Sequence, residues 1–441
     1  MEDNTNKVED AAMTPVPEDA RQHWITPAMI MAGNEFCTPV LMVGATLIGA
    51  FGFKGMIPVV LFTFLVMTWI GNSLNGYMGA KYGLSSSVIA RQSFGDKQAR
   101  FIIALVVGVV SMGWWAIQTS VTGNALCAII GIDYTHNRFA WAIATIVVGI
   151  LFAIPSIMGI TSIKIVDYIA VPGGLLLCFV GVYLALKNVG LSGILNSTGD
   201  GSMTFATGVA AVIGLNVSQW VICADYTRFA KPKVLDNILI PWGIIACGIP
   251  LVIIGGMMAV GKGTADIVAV MQNLGFPVWG FIVLWLAAWT SQLVNNYTMG
   301  LSFANICNIT SSRGRKIVTL VGTLLSITLS IMGILDHFTD LLSLAGLLYP
   351  GLAGVMFVDF YARKVKKWND NVGWNYMATI AIICGVAVGY ITTYVKPLGI
   401  APLQAVIITA LVYYIAMRIK AKVAPDKFTS GMFAIETSDN R

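Results

Sequence analysis

The chain has 441 residues, of which 57% are hydrophobic and 11% are charged, with a formal net charge of +6 and a mean hydropathy of +0.78. A water-soluble domain of this size carries far more charge, so the composition excludes a soluble enzyme and predicts a polytopic membrane protein. Lys and Arg mark loops beside the membrane in such proteins, so the positive charge implies no nucleic-acid partner.

Twelve segments are apolar enough and long enough to cross a bilayer, which takes roughly 20 residues. Their centres lie near residues 38, 67, 115, 149, 176, 213, 249, 287, 325, 350, 385 and 410. Of the 27 Lys and Arg residues, all but five fall in segments that would be cytoplasmic if both termini are inside. This bias predicts a multi-pass protein of the cell (inner) membrane with both termini in the cytoplasm. The five exceptions are Lys54, Arg138, Lys187, Lys262 and Lys396.

Three regions are predicted along the chain: a polar tail at 1–22, a transmembrane transporter domain at 23–420, and a basic tail at 421–441. The first tail has no apolar core, so we expect no cleavable signal peptide. The seven cysteines form no C-x-x-C pair and the three histidines show no ligand spacing. We therefore expect no catalytic metal and no other cofactor.

The first segment contains the sequence Gly33-Asn34-Glu35-Phe36 between apolar runs. A carboxylate is costly at that depth, and intramembrane ionisable groups usually face a protein interior or a water-filled cavity. Glycine permits a break in the helix, and broken helices form ion and substrate sites in transporters. The structural alternative is a kinked helix in which Glu35 is protonated or paired.

Polar residues also interrupt the third and sixth segments. Trp114 and Gln118 lie four residues apart in the third and so share one helix face, although helix packing explains such a pair equally well. The sixth contains Asn216, Ser218 and Gln219. The first and sixth segments are thus the interrupted pair in corresponding positions, which predicts two inverted repeats, at about 24–190 and 200–365, followed by two extra helices at about 372–420.

Two later segments have their own features. In the eighth, the adjacent hydroxyls of Thr290 and Ser291 offer oxygen ligands to a small cation, although such hydroxyls often bond to their own helix backbone. In the tenth, Tyr349-Pro350-Gly351 predicts a further flexible break that could act as a moving gate.

Several blocks of sequence resemble the nucleobase:cation symporter-1 family, and within it the bacterial cytosine permeases. These blocks cover nearly the whole chain beyond the first tail. They are VPEDAR at 16–21, GAKYGLS at 79–85, ARQSFG at 90–95, GWW at 113–115, ADYTRF at 224–229, WTS at 289–291 and GLSFANI at 300–306.

The resemblance implies an all-α, LeuT-like fold with a five-plus-five inverted repeat and two C-terminal helices. It also implies a sodium site formed by the carbonyl oxygens of Gly33, Phe36 and Ala287 and the hydroxyls of Thr290 and Ser291. The base would stack on Trp114, and its polar edge would contact Gln118, Ser218 and Gln292.

The chain departs from the family pattern at four of these positions. Asn216 stands where cytosine permeases place a second stacking aromatic residue, with Trp220 four residues later. Ser111 and Gln292 replace a glutamine and an asparagine, and Glu35 replaces a residue that is often neutral. Glu35 leaves two possibilities open, a coupled proton or a cationic group on the substrate.

These features predict a secondary active symporter that imports a nucleobase, cytosine or purine-like, coupled to sodium or protons by alternating access. The alternative is the same fold transporting a hydantoin, allantoin or a thiamine-precursor pyrimidine. A membrane enzyme would need clustered acid, base or nucleophilic groups, and a nutrient sensor would need an added signalling domain. The expected partners are a small-molecule substrate, the coupling cation and the lipid bilayer.

Overall fold

The protein is an all-helical bundle, as the sequence predicts. The computed structural model describes residues 15–158, 163–309, 311–362, 368 and 370–423. Within these residues there is no β-strand, and only two isolated bridges occur, Gln22 with Ala230 and Gly52 with Thr198. Both terminal tails therefore lie wholly or largely outside the described residues.

The helices that position the site are numbered here in chain order. They are α1 (Ile25–Glu35), α2 (Thr38–Phe62), α3 (Trp69–Tyr82), α4 (Ser86–Phe94), α5 (Ala104–Ile130), α6 (Arg138–Met158), α7 (Ile163–Leu195), α8 (Phe205–Asn216), α9 (Gln219–Ile222), α10 (Ala224–Thr227), α11 (Val234–Leu239), α12 (Trp242–Ala259), α13 (Ile267–Leu274), α14 (Val278–Ile306), α15 (Ser312–Ile331), α16 (Phe338–Phe357), α17 (Tyr376–Tyr390) and α18 (Ala401–Val423).

Ten helical stretches of the described chain are long and apolar enough to span a membrane, or eleven if the bent pair Phe205–Asn216 and Gln219–Thr227 is one span. The first stretch, Thr38–Tyr82, has 45 residues. At about 1.5 Å per residue, a straight helix of that length would be roughly twice the thickness of the hydrocarbon core. Its backbone leaves the helical region at Gly52, where φ is 66° and ψ is 176°, so the stretch has room for two of the twelve predicted spans. The count of twelve itself stays a prediction.

Two of the predicted helix breaks are present. The chain leaves the helical conformation after Glu35, since Phe36 has φ −76° and ψ 74° and Cys37 is extended. Helix α2 then begins at Thr38, with Pro39 in its first turn, where a missing N–H costs nothing. The second break follows Asn216, and the chain bends there by 43°. The predicted break in the tenth segment is wrong, because α16 runs through Pro350 without interruption.

The broken helices pack closely on an intact one. A Cβ added at Gly44 of α2 would lie 2.0 Å from the carbonyl oxygen of Val252 in α12, and one added at Gly255 would lie 2.2 Å from the carbonyl oxygen of Leu41. Only glycine allows these two backbones to approach so closely. The break after α1 is thus held against α12.

The loops gather at two ends of the bundle. One end, called here the N-terminal face, joins Gly83 to Val16, Phe229 to Gln22, and Asn371 to Asp96 by backbone hydrogen bonds. The other end, called the opposite face, contains Gly52 with Thr198 and the segment between α12 and α13. The short helix α4 lies between α3 and α5 on the N-terminal face, and most of its residues are buried.

Candidate substrate and cation sites

A cavity of about 110 Å³ lies between the two helix breaks. Residues of α5, α14 and α16 complete its wall, so it is enclosed by the elements that the sequence singled out. Five of the predicted substrate residues line it, and so does Ser291 of the predicted sodium set. The five are Glu35, Trp114, Gln118, Asn216 and Ser218.

The two adjacent tryptophans of α5 point in different directions. Trp114 lines the cavity, and its ring lies edge to face with that of Phe338 at a centroid distance of 6.2 Å. Trp115 is fully buried in a separate apolar cluster with Phe152. Trp114 is therefore the tryptophan of this pair that can stack on a ligand.

Two glutamine residues of the cavity wall each have an unsatisfied polar atom. Gln118 and Gln219 both line it, and the Oε1 atom of each is buried without a hydrogen-bond partner among the described residues. A buried polar atom without a partner is unfavourable by roughly 1–3 kcal/mol. A ligand with N–H groups would satisfy both atoms.

Glu35 is hydrogen-bonded across the two breaks. Its carboxylate oxygen Oε1 accepts from Nδ2 of Asn216 at 3.0 Å, and the Glu35 residue is only 4% exposed. The contact joins the end of α1 to the end of α8. The amide of Asn216, predicted to face the substrate, thus has one of its donors committed to Glu35.

Two residues predicted to contact the substrate lie away from the cavity wall. Gln292 donates from Nε2 to Oγ1 of Thr119 at 2.8 Å. Trp220 packs against α3, where a Cβ added at Gly71 would lie 2.1 Å from its Nε1 atom. Both side chains therefore connect helices, and neither supplies the second aromatic surface of the cavity.

Other polar and aromatic residues of the wall were not among the predicted site residues. Gln219 lies in the polar interruption of the sixth segment, and the two tyrosines lie in the stretches ADYTRF and Tyr349-Pro350-Gly351, but nothing in the sequence indicated that their side chains face a cavity. Whether such a residue faces the cavity depends on the direction of its side chain. A helix that is packed on all sides has no periodic polar pattern from which this direction could be predicted. These residues are Asn34, Ser111, Gln219, Tyr226, Asn295, Thr298 and Tyr349.

The predicted sodium ligands divide between two cavities. Phe36 and Ala287 line a small cavity of about 20 Å³, whereas Ser291 lines the substrate cavity. The carbonyl oxygen of Gly33 accepts from the backbone N–H of Phe36 at 3.3 Å. The side chain of Thr290 lies outside the described residues.

Thr38 adds an oxygen that the sequence reasoning missed. It lines the small cavity beside Phe36, and its Oγ1 atom is buried without a partner among the described residues. A space of about 20 Å³ is large enough for a single small occupant such as a water molecule. No group of three or more His, Cys, Asp or Glu residues in the described chain could hold a metal ion.

The substrate cavity adjoins a larger one, of about 770 Å³, at the N-terminal face. The two share Val107, Ile222, Tyr226 and Thr298 in their walls. The larger cavity is also lined by exposed residues such as Lys97, so it reaches the surface. A ligand in the substrate cavity would therefore have a route to the N-terminal face in this conformation.

The sequence matches one family model and is similar to two permeases. The family model described as permease for cytosine/purines, uracil, thiamine, allantoin matches residues 15–416. The chain is 27% identical over 406 residues to the cytosine permease of Escherichia coli strain K12, covering 91% of this chain and 92% of that protein. It is 26% identical over 404 residues to the allantoin permease of Bacillus subtilis strain 168, covering 79% and 80% of the two chains.

Solved structures share the fold. The inward-facing conformation of Mhp1 superposes with a TM-score of 0.78 at 19% identity, covering 93% of each chain. Mhp1 in a closed conformation with bromovinylhydantoin, described as a nucleobase-cation-symport-1 family transporter, gives 0.75 at 18% identity, covering 94% of this chain and 96% of that one. A sodium-coupled sialic acid symporter gives 0.65 at 17% identity, covering 92% and 90%. The LeuT-like fold implied by the sequence is confirmed.

Proposed function

Because this chain belongs to the family of permeases for cytosine and purines, uracil, thiamine and allantoin, we propose that it is a secondary active symporter for a nucleobase, cytosine or purine-like. Its relatives are permeases, so the activity is transport and not enzymatic turnover. Import would proceed by alternating access, with the substrate held between the two broken helices.

One observation carries this proposal: a tryptophan and unsatisfied amides share one cavity at the helix breaks. Trp114 offers an apolar face, and stacking on an aromatic ring is worth roughly 1–3 kcal/mol per base. Gln118 and Gln219 present buried oxygen atoms that lack partners. A planar heterocycle with polar groups around its edge matches both features, since a built polar site rejects ligands that leave its groups unpaired.

Sodium is the coupling ion that we propose. Carbonyl oxygens at a helix break and hydroxyls on a facing helix are suitable ligands for a hard cation. Phe36 and Ala287, two of the five proposed ligands, line the same small cavity, and this supports the placement. Thr38, which lines that cavity too, has a buried hydroxyl that adds a further oxygen. The competing proposal is that the coupling ion is a proton and not sodium.

We further propose that the N-terminal face is cytoplasmic, in the inner membrane. The Lys and Arg residues of the described chain concentrate on this face, as in the loops around Lys97 and Arg100. The positive-inside rule supports this orientation. In this orientation the large cavity is a route of release into the cell.

Allantoin or a related hydantoin is the second candidate substrate. The position of Asn216 favours it, because an amide on the wall suits a ligand that is more polar and less flat than cytosine. The allantoin permease among the relatives supports it as well.

A thermal-shift experiment tests these proposals on the purified protein. Cytosine, adenine, uracil, hydantoin and allantoin are each added with and without sodium. We expect one of the bases to raise the melting temperature, and to raise it further with sodium, because ligands that bind the folded state stabilise it. Stabilisation by allantoin alone would favour the second candidate, and no stabilisation by any of the five would contradict transport of a nucleobase-like substrate.

A further inference from the structure

The carboxylate of Glu35 lies at a place where two helices end. Helix α1 ends at Glu35 and α8 ends at Asn216, and the two side chains are 3.0 Å apart. The last carbonyl groups of a helix carry a partial negative charge. Two such ends and a carboxylate therefore meet in the middle of the bundle.

Among the described residues, no cationic side chain is paired with this concentration of acceptors. Glu35 itself is in none of the ion pairs seen in the described part of the chain, such as that of Arg91 with Asp370. Its neighbour in α12 is the backbone of Gly248, where an added Cβ would lie 2.7 Å from Oε1. A ligand in the cavity that Glu35 lines can supply the compensating hydrogen-bond donors when the carboxylate is ionised.

The same wall offers further acceptors. The Oε1 atoms of Gln118 and Gln219 lack partners, as described above. An amide can turn to present either a donor or an acceptor, whereas an ionised carboxylate only accepts. An ionised Glu35 is thus the wall residue that requires the ligand to present hydrogen-bond donors.

From this arrangement we propose that Glu35 selects the substrate by accepting two hydrogen bonds from a heterocycle whose ring N–H stands beside an exocyclic amino group. This inference rests on the proposed function and narrows its substrate class. Paired hydrogen bonds to an ionised carboxylate are about twice as strong as neutral ones and fix orientation. Asn216 acts as a positioning residue, because its N–H holds one carboxylate oxygen from the side of α8.

Matched pairs of ligands test the proposal directly. Isocytosine has the ring N–H and the adjacent amino group, whereas uracil has a carbonyl in place of that amino group. Guanine and hypoxanthine form a second pair that differs by the amino group alone. Dissociation constants are measured by titration calorimetry or ligand competition on the purified full-length protein. We expect the amino-bearing member of each pair to bind about tenfold or more tightly, the range for a hydrogen bond to a charged group.

The variant Glu35→Gln should change the preference and not merely weaken it. Glutamine has one acceptor and one donor, so it matches a ring N–H beside a carbonyl. We therefore expect uracil to overtake isocytosine in this variant. Glu35→Asp keeps a carboxylate and should keep the wild-type order with weaker binding. Glu18→Gln, which removes an exposed carboxylate at the N-terminal face, is the matched control and should leave the ratios unchanged.

The possible outcomes distinguish the role of Glu35 from nucleobase transport itself. Equal binding within both pairs in the wild-type protein would overturn the role of Glu35 and leave nucleobase transport intact. The same conclusion would follow if Glu35→Gln kept the wild-type order. If none of the four heterocycles bound, and cytosine did not bind either, the proposed function would fail and this inference with it. The comparison of the two ligand pairs on the wild-type protein tests the role of Glu35 even if Glu35→Gln does not fold.

Discussion

Tyr134 donates a hydrogen bond from its hydroxyl to Oδ2 of Asp266 at 2.9 Å, on the face opposite to the N-terminal face. Asn124, near the end of α5, donates to the same oxygen at 3.0 Å. Asp266 also caps α13 by accepting from the N–H of Val268 at 3.0 Å. The contact therefore ties α13 to the end of α5 and helps to close this face while the cavities open at the other.

The stability of this closure should depend on pH through Asp266. Burial raises the pKa of Asp266, and its hydrogen bonds from Tyr134, Asn124 and the backbone of α13 offset that effect only in part. Because the folded state then holds the proton at pH values where the unfolded chain has released it, stability is greatest below the unfolded pKa of about 4. It falls as the pH rises through the raised pKa of the folded state. We expect the melting temperature of Asp266→Asn to fall less with rising pH than that of the wild type.

Asp133 provides a control of opposite sign on the same face. Hydrogen bonds from Thr135 and His136 lower the pKa of Asp133, which is exposed. Its contribution is therefore present above the unfolded pKa and is lost as the pH falls. Asp133→Asn should therefore lower the melting temperature by a constant amount at neutral and alkaline pH, and leave the slope of melting temperature against pH unchanged there. A slope that is the same in wild type and Asp266→Asn would contradict the role assigned to Asp266.

Labelling from one side of the membrane tests the orientation. Lys54 and Lys187 are exposed near the opposite face, whereas Lys97 is exposed at the N-terminal face. In a background without the native cysteines, Lys54→Cys and Lys187→Cys should react with an impermeant maleimide added to intact cells. Lys97→Cys should react only in inverted vesicles. Exclusive reaction of either outer position in inverted vesicles would reverse the proposed orientation.

The sequence predicted the helix breaks well because their chemistry is local. Glycine next to a polar or charged residue inside an apolar run is unfavourable in a continuous membrane helix, and the chain does leave the helix after Glu35 and after Asn216. The tenth segment shows the limit of this reasoning. Pro350 removes one hydrogen bond, yet α16 keeps its helical path, because closely packed neighbours hold the backbone in place.

The wall of the cavity was less predictable, because it depends on which way each side chain points in a fully packed bundle. Trp114 and Trp115 are identical in type and adjacent, yet one lines the cavity and the other is in an apolar cluster. Gln292 and Trp220 were predicted from positions in the family pattern, and tertiary contacts give each a different neighbour. Periodicity identifies a buried face only where another face meets lipid or water.

Replacing each of the two tryptophans should separate binding from stability. Trp114→Ala should weaken substrate binding by about tenfold or more, since it removes a stacking surface worth roughly 1–3 kcal/mol. Trp115→Ala should instead lower the free energy of unfolding by about 3–5 kcal/mol, because it empties a fully buried volume beside Phe152. Ligand titration and thermal melting of both variants give the comparison. If Trp114→Ala binds normally, Tyr226 or Tyr349 becomes the next candidate for stacking.

The proposed sodium site is tested by removing its hydroxyl oxygens. The double variant Thr290→Ala and Ser291→Ala removes two ligands, and each should cost on the order of 1–3 kcal/mol of ion binding. The sodium concentration for half-maximal uptake should therefore rise by well over tenfold, or sodium dependence should disappear.

Thr38→Val sharpens this test, because the change keeps the shape of the side chain and removes only the hydroxyl that faces the small cavity beside Phe36. A single lost ligand should raise the required sodium concentration less than the double variant does. Thr46→Val is the matched control on the same helix, since the Thr46 hydroxyl donates to the carbonyl oxygen of Met42 at 3.0 Å. Its sodium dependence should equal that of the wild type. If wild-type uptake ignores sodium and follows pH, the ion is a proton, and neither Thr38 nor the two hydroxyls of α14 is a ligand.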